Sequence, residues 1–166
     1  MLFQEETMNI KIISVGKLKE KYLKEGIKEY VKRLGAYTKV EMIEVDDEPI
    51  PKNASLAQEI MVKAKEGRKI LDKVKQNDYM ILLDVASKQM DSVAFSKHIE
   101  QKMISGCSTI VFVLGGSLGH SDEVYQRADI KISMSEMTFP HQLARLLLCE
   151  QIYRAFKIMK NETYHK

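Results

Sequence analysis

Apolar positions recur along this chain in two alternating rhythms, and each change of rhythm marks a new element. Asn9–Val15 alternates as a strand, and Gly16 ends it before Leu18, Leu23, Ile27, Tyr30, Val31 and Leu34 mark one face of a helix. Lys39–Val45 reads as a second strand. The polar, Pro-interrupted stretch from Asp46 to Asn53 sustains neither period, so it is a loop. Ile60, Ala64, Gly67, Leu71 and Val74 then repeat at helical spacing and predict a long helix with Lys and Glu outside. Tyr79–Val85 and Ile110–Leu114 are nearly continuous apolar runs, as expected of parallel strands covered on both faces, and Asp91–Ile104 makes the helix between them. Ser121 caps a short helix reaching about Arg127, Ile130–Ser133 is the last strand, and the final helix runs from Pro140 to about Met159.

Strand and helix alternate throughout, which predicts an α/β fold with a mostly parallel sheet and helices on both faces. The final helix carries Leu143, Ala144, Leu146, Leu147, Leu148, Ile152, Tyr153, Ala155, Phe156 and Ile158, more than one apolar stripe. One face meets the sheet, and the surplus is read either as deep burial in the chain's own core or as the seam of a homodimer. The dimer is the expectation.

Composition adds bounds. At 166 residues, 45% apolar and 30% charged, the chain suits one domain, read as 8–166. Residues 1–7 precede a second methionine and are read as an upstream start or expression remnant. Cys107 and Cys149 lack any CxxC or Cys/His spacing, so free thiols are expected, with neither disulfide nor metal. No apolar run approaches the roughly 18 residues of a membrane span, and no signal sequence is visible, so a cytoplasmic protein is expected.

The net charge is only +3, but its distribution is uneven. Between Lys17 and Arg33 there are seven basic and three acidic residues, and from Phe139 to Lys166 five basic and two acidic. Lys17, Lys21, Lys24, Lys28 and Lys32 stack along one helical face. That stripe is either a solvated face or a surface for RNA phosphates.

Candidate chemistry concentrates late in the chain. Gly115-Gly116-Ser117-Leu118-Gly119 follows one buried strand, and Met134-Ser135-Glu136-Met137-Thr138-Phe139-Pro140-His141 links the last strand to the last helix. Loops at the carboxyl ends of neighbouring parallel strands form a ligand crevice. The glycine loop has neither GxGxxG spacing nor a Gly-Lys-Ser/Thr ending, which argues against dinucleotide and ATP sites. No GxSxG elbow, metal triad or recognisable carboxylate pair is present. His141, in the first turn of the last helix, either caps the loop or serves the site. Arg145, on the same face among leucines, needs a partner, either an acid of its own chain or a phosphate or base carbonyl of a substrate. Arg154 is explained most simply by Glu150, four residues earlier. Tyr164 and His165 either stack on a base or fray.

These residues resemble a known family. Val113-Leu114-Gly115-Gly116-Ser117-Leu118-Gly119, Met137-Thr138-Phe139-Pro140-His141-Gln142 with Arg145, Glu150-Gln151-Ile152-Tyr153-Arg154-Ala155-Phe156, and the Tyr164-His165-Lys166 ending are similar to the RlmH family of SPOUT-class methyltransferases. The opening Ile12-Ile13-Ser14-Val15-Gly16-Lys17-Leu18-Lys19 fits the same pattern. The resemblance implies a trefoil-knotted α/β homodimer that methylates N3 of a pseudouridine in 23S rRNA on the assembled ribosome. S-adenosyl-L-methionine is the implied donor, with contacts at Leu83, Gly115, Met134, Ser135, Glu136, Met137, Thr138 and Phe139. His120 departs from the pattern, where an apolar or small residue is expected, which weighs against a catalytic role for it.

On this reading Arg145 stabilises negative charge on the base carbonyls, and His141 positions the base or passes its proton to water. Tyr164 and His165 complete the site from a partner subunit. RNA phosphates are expected on Lys17, Lys21, Lys24, Lys28 and Arg154. Three rival readings are a SPOUT methyltransferase acting on tRNA, a ribosome-associated RNA-binding module without turnover, and a flavodoxin-like small-molecule binder.

Overall fold

The computed structural model describes residues 8–166, so the reading of 1–7 lies outside the described residues. Five strands, β1 (Asn9–Val15), β2 (Lys39–Val45), β3 (Tyr79–Leu83), β4 (Thr109–Leu114) and β5 (Ile130–Ile132), form one sheet in the order β2-β1-β4-β3-β5. Every pairing is parallel. The helices are α1 (Lys21–Leu34), α2 (Leu56–Leu71), α3 (Ser92–Ile104), α4 (Asp122–Arg127) and α5 (His141–Met159).

Alternation along each strand divides the core between the two faces of the sheet. Ile10, Ile12, Ile81, Ile110 and Phe112 point towards α1, α3 and α5, where Ile27, Ile99, Ile152 and Phe156 meet them. Ile13, Met80, Leu82, Val111 and Val113 point the other way, towards Ile70 of α2 and Val124 of α4. An α/β sheet covered on both faces is therefore present, as the periodicity predicts. Caps fix three helix starts: Ser55 and Gln58 form a reciprocal box on α2, Asp91 accepts from Ala94 N, and Ser121 accepts from Val124 N.

The structure differs from the periodic reading in four places. On α2 the buried face is Val62, Glu66, Gly67 and Ile70, while Ile60 is 52% exposed and Val74 follows the helix end. A buried carboxylate within that face breaks the apolar repeat, which is why periodicity selected the neighbouring stripe. Leu18 precedes α1, because its N–H donates to the Glu44 carboxylate at 2.7 Å instead of joining a helix. β3 ends at Leu83, where the chain turns towards β5 through Asp84 N and Ile132 O. Finally, α5 lies between α1 and α3, which take up much of its surplus apolar surface; Leu143, Ala144 and Leu147 remain half-buried.

The strand order is what builds the site. It places β3 between β4 and β5, so the loops leaving these three strands emerge side by side at the same end of the sheet.

Candidate active site

Those loops enclose a cavity of about 290 Å³. The end of β3 supplies Leu83 and Asp84, the glycine loop supplies Gly115, Gly116 and Gly119, and the segment leading into α5 supplies Met134, Ser135, Met137, Thr138 and Phe139. His141 and Ala144, on the first turn of α5, close the wall. The segment entering α5 is shaped by its own serines: Ser133 Oγ donates to Ser135 O at 2.8 Å, and Ser135 Oγ accepts from Met137 N at 3.0 Å. The glycine loop turns back on itself through Gly119 N and Gly116 O at 3.1 Å, with Gly119 at φ +89°, a conformation that favours glycine.

His120 ties this assembly together. Its Nε2 lies 2.9 Å from Leu83 O. Burial lowers its pKa, against the opposing pull of the Leu83 carbonyl and Asp84, so the ring is neutral. A carbonyl only accepts, so the one ring proton is on Nε2, leaving Nδ1 as a buried acceptor with no partner among the described residues. The same ring fills the space beside Gly115, where an added Cβ would lie 2.6 Å from Cε1 and 2.8 Å from Nδ1. Glycine at 115 therefore leaves the room that the His120 ring occupies. Tyr125 meets the His120 ring edge-on at 5.6 Å and donates its hydroxyl to Asp84 at 3.2 Å, and Ser87 donates to the other Asp84 oxygen at 2.7 Å.

Most of the donor contacts expected from sequence share this cavity: Leu83, Gly115, Met134, Ser135, Met137, Thr138 and Phe139, together with His141. Glu136 lies in the same loop, exposed, but does not line the cavity. Arg145 points away from it. The guanidinium is 3% exposed, with Nη1 donating to Glu44 at 2.7 Å and Nη2 to Val15 O and Gly16 O at 2.9 and 2.8 Å. Its partner is therefore an acid of its own chain, joined by two strand-end carbonyls.

Tyr164 and His165 sit apart from the cavity of their own chain, docked on α5. Tyr164 packs edge-on against Tyr153 at 4.9 Å and donates to Glu150 at 3.1 Å. Burial, with Tyr30 and Glu150 nearby, raises the pKa of the phenol. Arg154 pairs with Glu150, lies 4.8 Å over the Tyr164 ring and approaches His165 Nδ1 at 3.0 Å. The tail is thus held in place. Lys17, Lys24 and Lys28 are exposed, and Lys21 pairs weakly with Glu25 at 3.9 Å.

Sequence reasoning did not name Asp84 or Ser133 and set His120 aside. The first two follow strands immediately, where a single residue carries no periodic signal, and the role of His120 depends on Leu83, 37 residues away.

Fold and cavity together define an α/β protein whose ligand crevice is made by loops late in the chain, beside the last helix. A family profile described as "Predicted SPOUT methyltransferase" matches residues 8–165. The ribosomal RNA large subunit methyltransferase H 1 of Clostridium perfringens is 57% identical over 159 residues, covering 96% of this chain and all of that protein. The ribosomal RNA large subunit methyltransferase H proteins of Enterococcus faecalis and an Exiguobacterium species are 56% and 57% identical with the same coverage. The chain belongs to the SPOUT methyltransferase family and, within it, to the RlmH family; it is a methyltransferase.

Proposed function

We propose that this protein methylates N3 of a pseudouridine in 23S rRNA on the assembled ribosome, as a cytoplasmic, trefoil-knotted homodimer whose single domain spans 8–166. The observation that carries this reading is the convergence of the β3 end, the glycine loop and Met134–Phe139 on one cavity, in a chain 57% identical to a named large-subunit rRNA methyltransferase.

The cavity fits S-adenosyl-L-methionine. Leu83, Leu114, Met134 and Phe139 offer apolar walls to a planar base, the bare backbone at Gly115 permits close approach, and Asp84 places a carboxylate beside a cationic ligand. When bound, this cofactor supplies a methyl group activated by its sulfonium. The protein's own residues hold the acceptor base in line and handle its N3 proton, whose pKa lies well above neutrality. His141, exposed at the cavity wall, positions the base and passes the proton to water. Tyr164 and His165, held by Glu150 and Arg154, complete the site of a partner subunit, with half-buried Leu143, Ala144 and Leu147 in the seam. Arg145 acts from beneath, fixing the strand end that leads to Lys17; Lys17, Lys21, Lys24, Lys28 and Arg154 meet RNA phosphates.

The test is mass spectrometry of rRNA and tRNA from a deletion strain, with and without the gene restored, alongside calorimetry with the donor. Loss and recovery of one methyl group on a 23S pseudouridine is expected. A methyl group lost from tRNA alone, or no donor binding, overturns the reading.

A further inference from the structure

A second cavity, of about 520 Å³, lies on the other side of Arg145, between α1 and β2. It falls within the range of about 300–1,000 Å³ common for ligand sites. Its walls are apolar: Ile27 and Val31 of α1 face Met42 of β2, on the same side of the sheet. Its rim is cationic, because Lys17, Lys24 and Lys28 line it, and none of the three pairs with a carboxylate among the described residues. Lys21, which pairs with Glu25, is not part of it.

The floor is polar and incompletely satisfied. Glu44 Oε2 accepts from Arg145 and from Leu18 N, whereas no hydrogen bond reaches Glu44 Oε1 among the described residues. Ser14 Oγ and Arg145 Nε, on two further lining residues that are almost fully buried, also lack partners. An apolar slot with one half-exposed carboxylate oxygen open beside it and three lysines at its mouth combines the features that recognise a single nucleotide. The base inserts between aliphatic walls, an N–H of its edge donates to Glu44, and the phosphate stays with the ammonium groups. A phosphate alone leaves the apolar walls unused, and an apolar ligand leaves the lysines unused.

We propose that the cleft between α1 and β2 holds one unpaired nucleotide of the RNA substrate, base inward and phosphate on Lys17, Lys24 and Lys28. This rests on the rRNA methylation reading above. The first turns of α5 wall both cavities, His141 and Ala144 on the donor side and Arg145 on this one, so a nucleotide anchored here registers the RNA strand relative to the methyl-transfer site.

The test compares the full-length protein with Lys24→Ala/Lys28→Ala, which removes rim charge, and Met42→Trp, which fills the slot without changing charge. KM and kcat are measured on ribosomal particles, and affinity for the same RNA across a salt titration. The double lysine variant is expected to raise KM about tenfold, with the loss falling on KM rather than kcat, and to flatten the salt slope by about one. Met42→Trp is expected to raise KM by a similar factor and leave the salt slope unchanged. Val31→Phe, from the opposite wall, repeats the filling experiment if thermal melting shows Met42→Trp unfolded. Unchanged KM and RNA affinity in a folded filling variant overturn the proposal, leaving the lysines as surface charge only. Wild-type protein that methylates no ribosomal RNA fails the underlying reading instead, and the RNA affinities then decide the cleft on their own.

Discussion

His120 Nε2 lies 2.9 Å from the carbonyl oxygen of Leu83, so one neutral imidazole joins the end of β3 to the loop that leaves β4. Both residues line the cavity at the ends of β3, β4 and β5. The ring thus serves as a strut between two walls of the cavity, and its consequences are measurable.

Acid should expose the strut. Burial lowers the His120 pKa below its ordinary value of 6.5, so the unfolded chain takes up a proton in a range where the folded chain refuses it. Stability is therefore lost as the pH falls from about 6.5 towards the lowered folded value. His98, also lowered by burial, adds to the same slope. His120→Gln keeps an N–H donor for Leu83 and cannot titrate. Melting temperatures between pH 7 and 5 should fall less in this variant than in the wild type, with donor affinity at pH 7.5 preserved.

The ring also dictates glycine at position 115. In Gly115→Ala the new Cβ meets His120 Cε1 at 2.6 Å, which forces the imidazole out of its bond to Leu83. Calorimetry should show donor affinity reduced about tenfold, on the order of 1.4 kcal/mol. The same substitution in a His120→Ala background should cost much less; equal costs in both backgrounds would show that the two positions are uncoupled.

Arg145 should matter to stability before it matters to turnover. Arg145→Ala leaves Val15 O and Gly16 O without a donor and removes the partner of Glu44. A destabilisation of about 3 kcal/mol in urea unfolding is expected. Glu44→Ala should cost less, because the Glu44 side chain is 44% exposed and the two carbonyl bonds survive. Equal losses for the two variants would contradict this assignment.

The two cysteines should separate by reactivity. Cys149 is fully buried on α5, and burial pushes its thiol pKa up to about 12, whereas Cys107 is partly exposed after α3. Brief treatment of the native protein with an alkylating reagent, read by mass spectrometry, should label Cys107 only, and labelling of both should require denaturant.

Much of this molecule was written in local pattern. The limits of β1 and β2, the cap at Ser121, and the alternation that implies a two-faced parallel sheet follow from the sequence because strand and helix periods are set by neighbours in the chain. The late glycine loop and the segment from Met134 to Phe139 also stood out, since turn chemistry is local too. What α2 buries did not stand out, because Glu66 occupies a core position there.

Only the tertiary structure decided which distant residues meet. The order β2-β1-β4-β3-β5 sets the β3, β4 and β5 ends side by side, and with them Leu83 against His120. The same packing turns Arg145 towards Glu44, 101 residues earlier, and opens a lysine-rimmed cleft where the sequence offered only a stripe on a helix. Periodicity reports which face of an element is buried; it carries no information about the element packed against that face, and partner choice is settled by how whole strands and helices pack together.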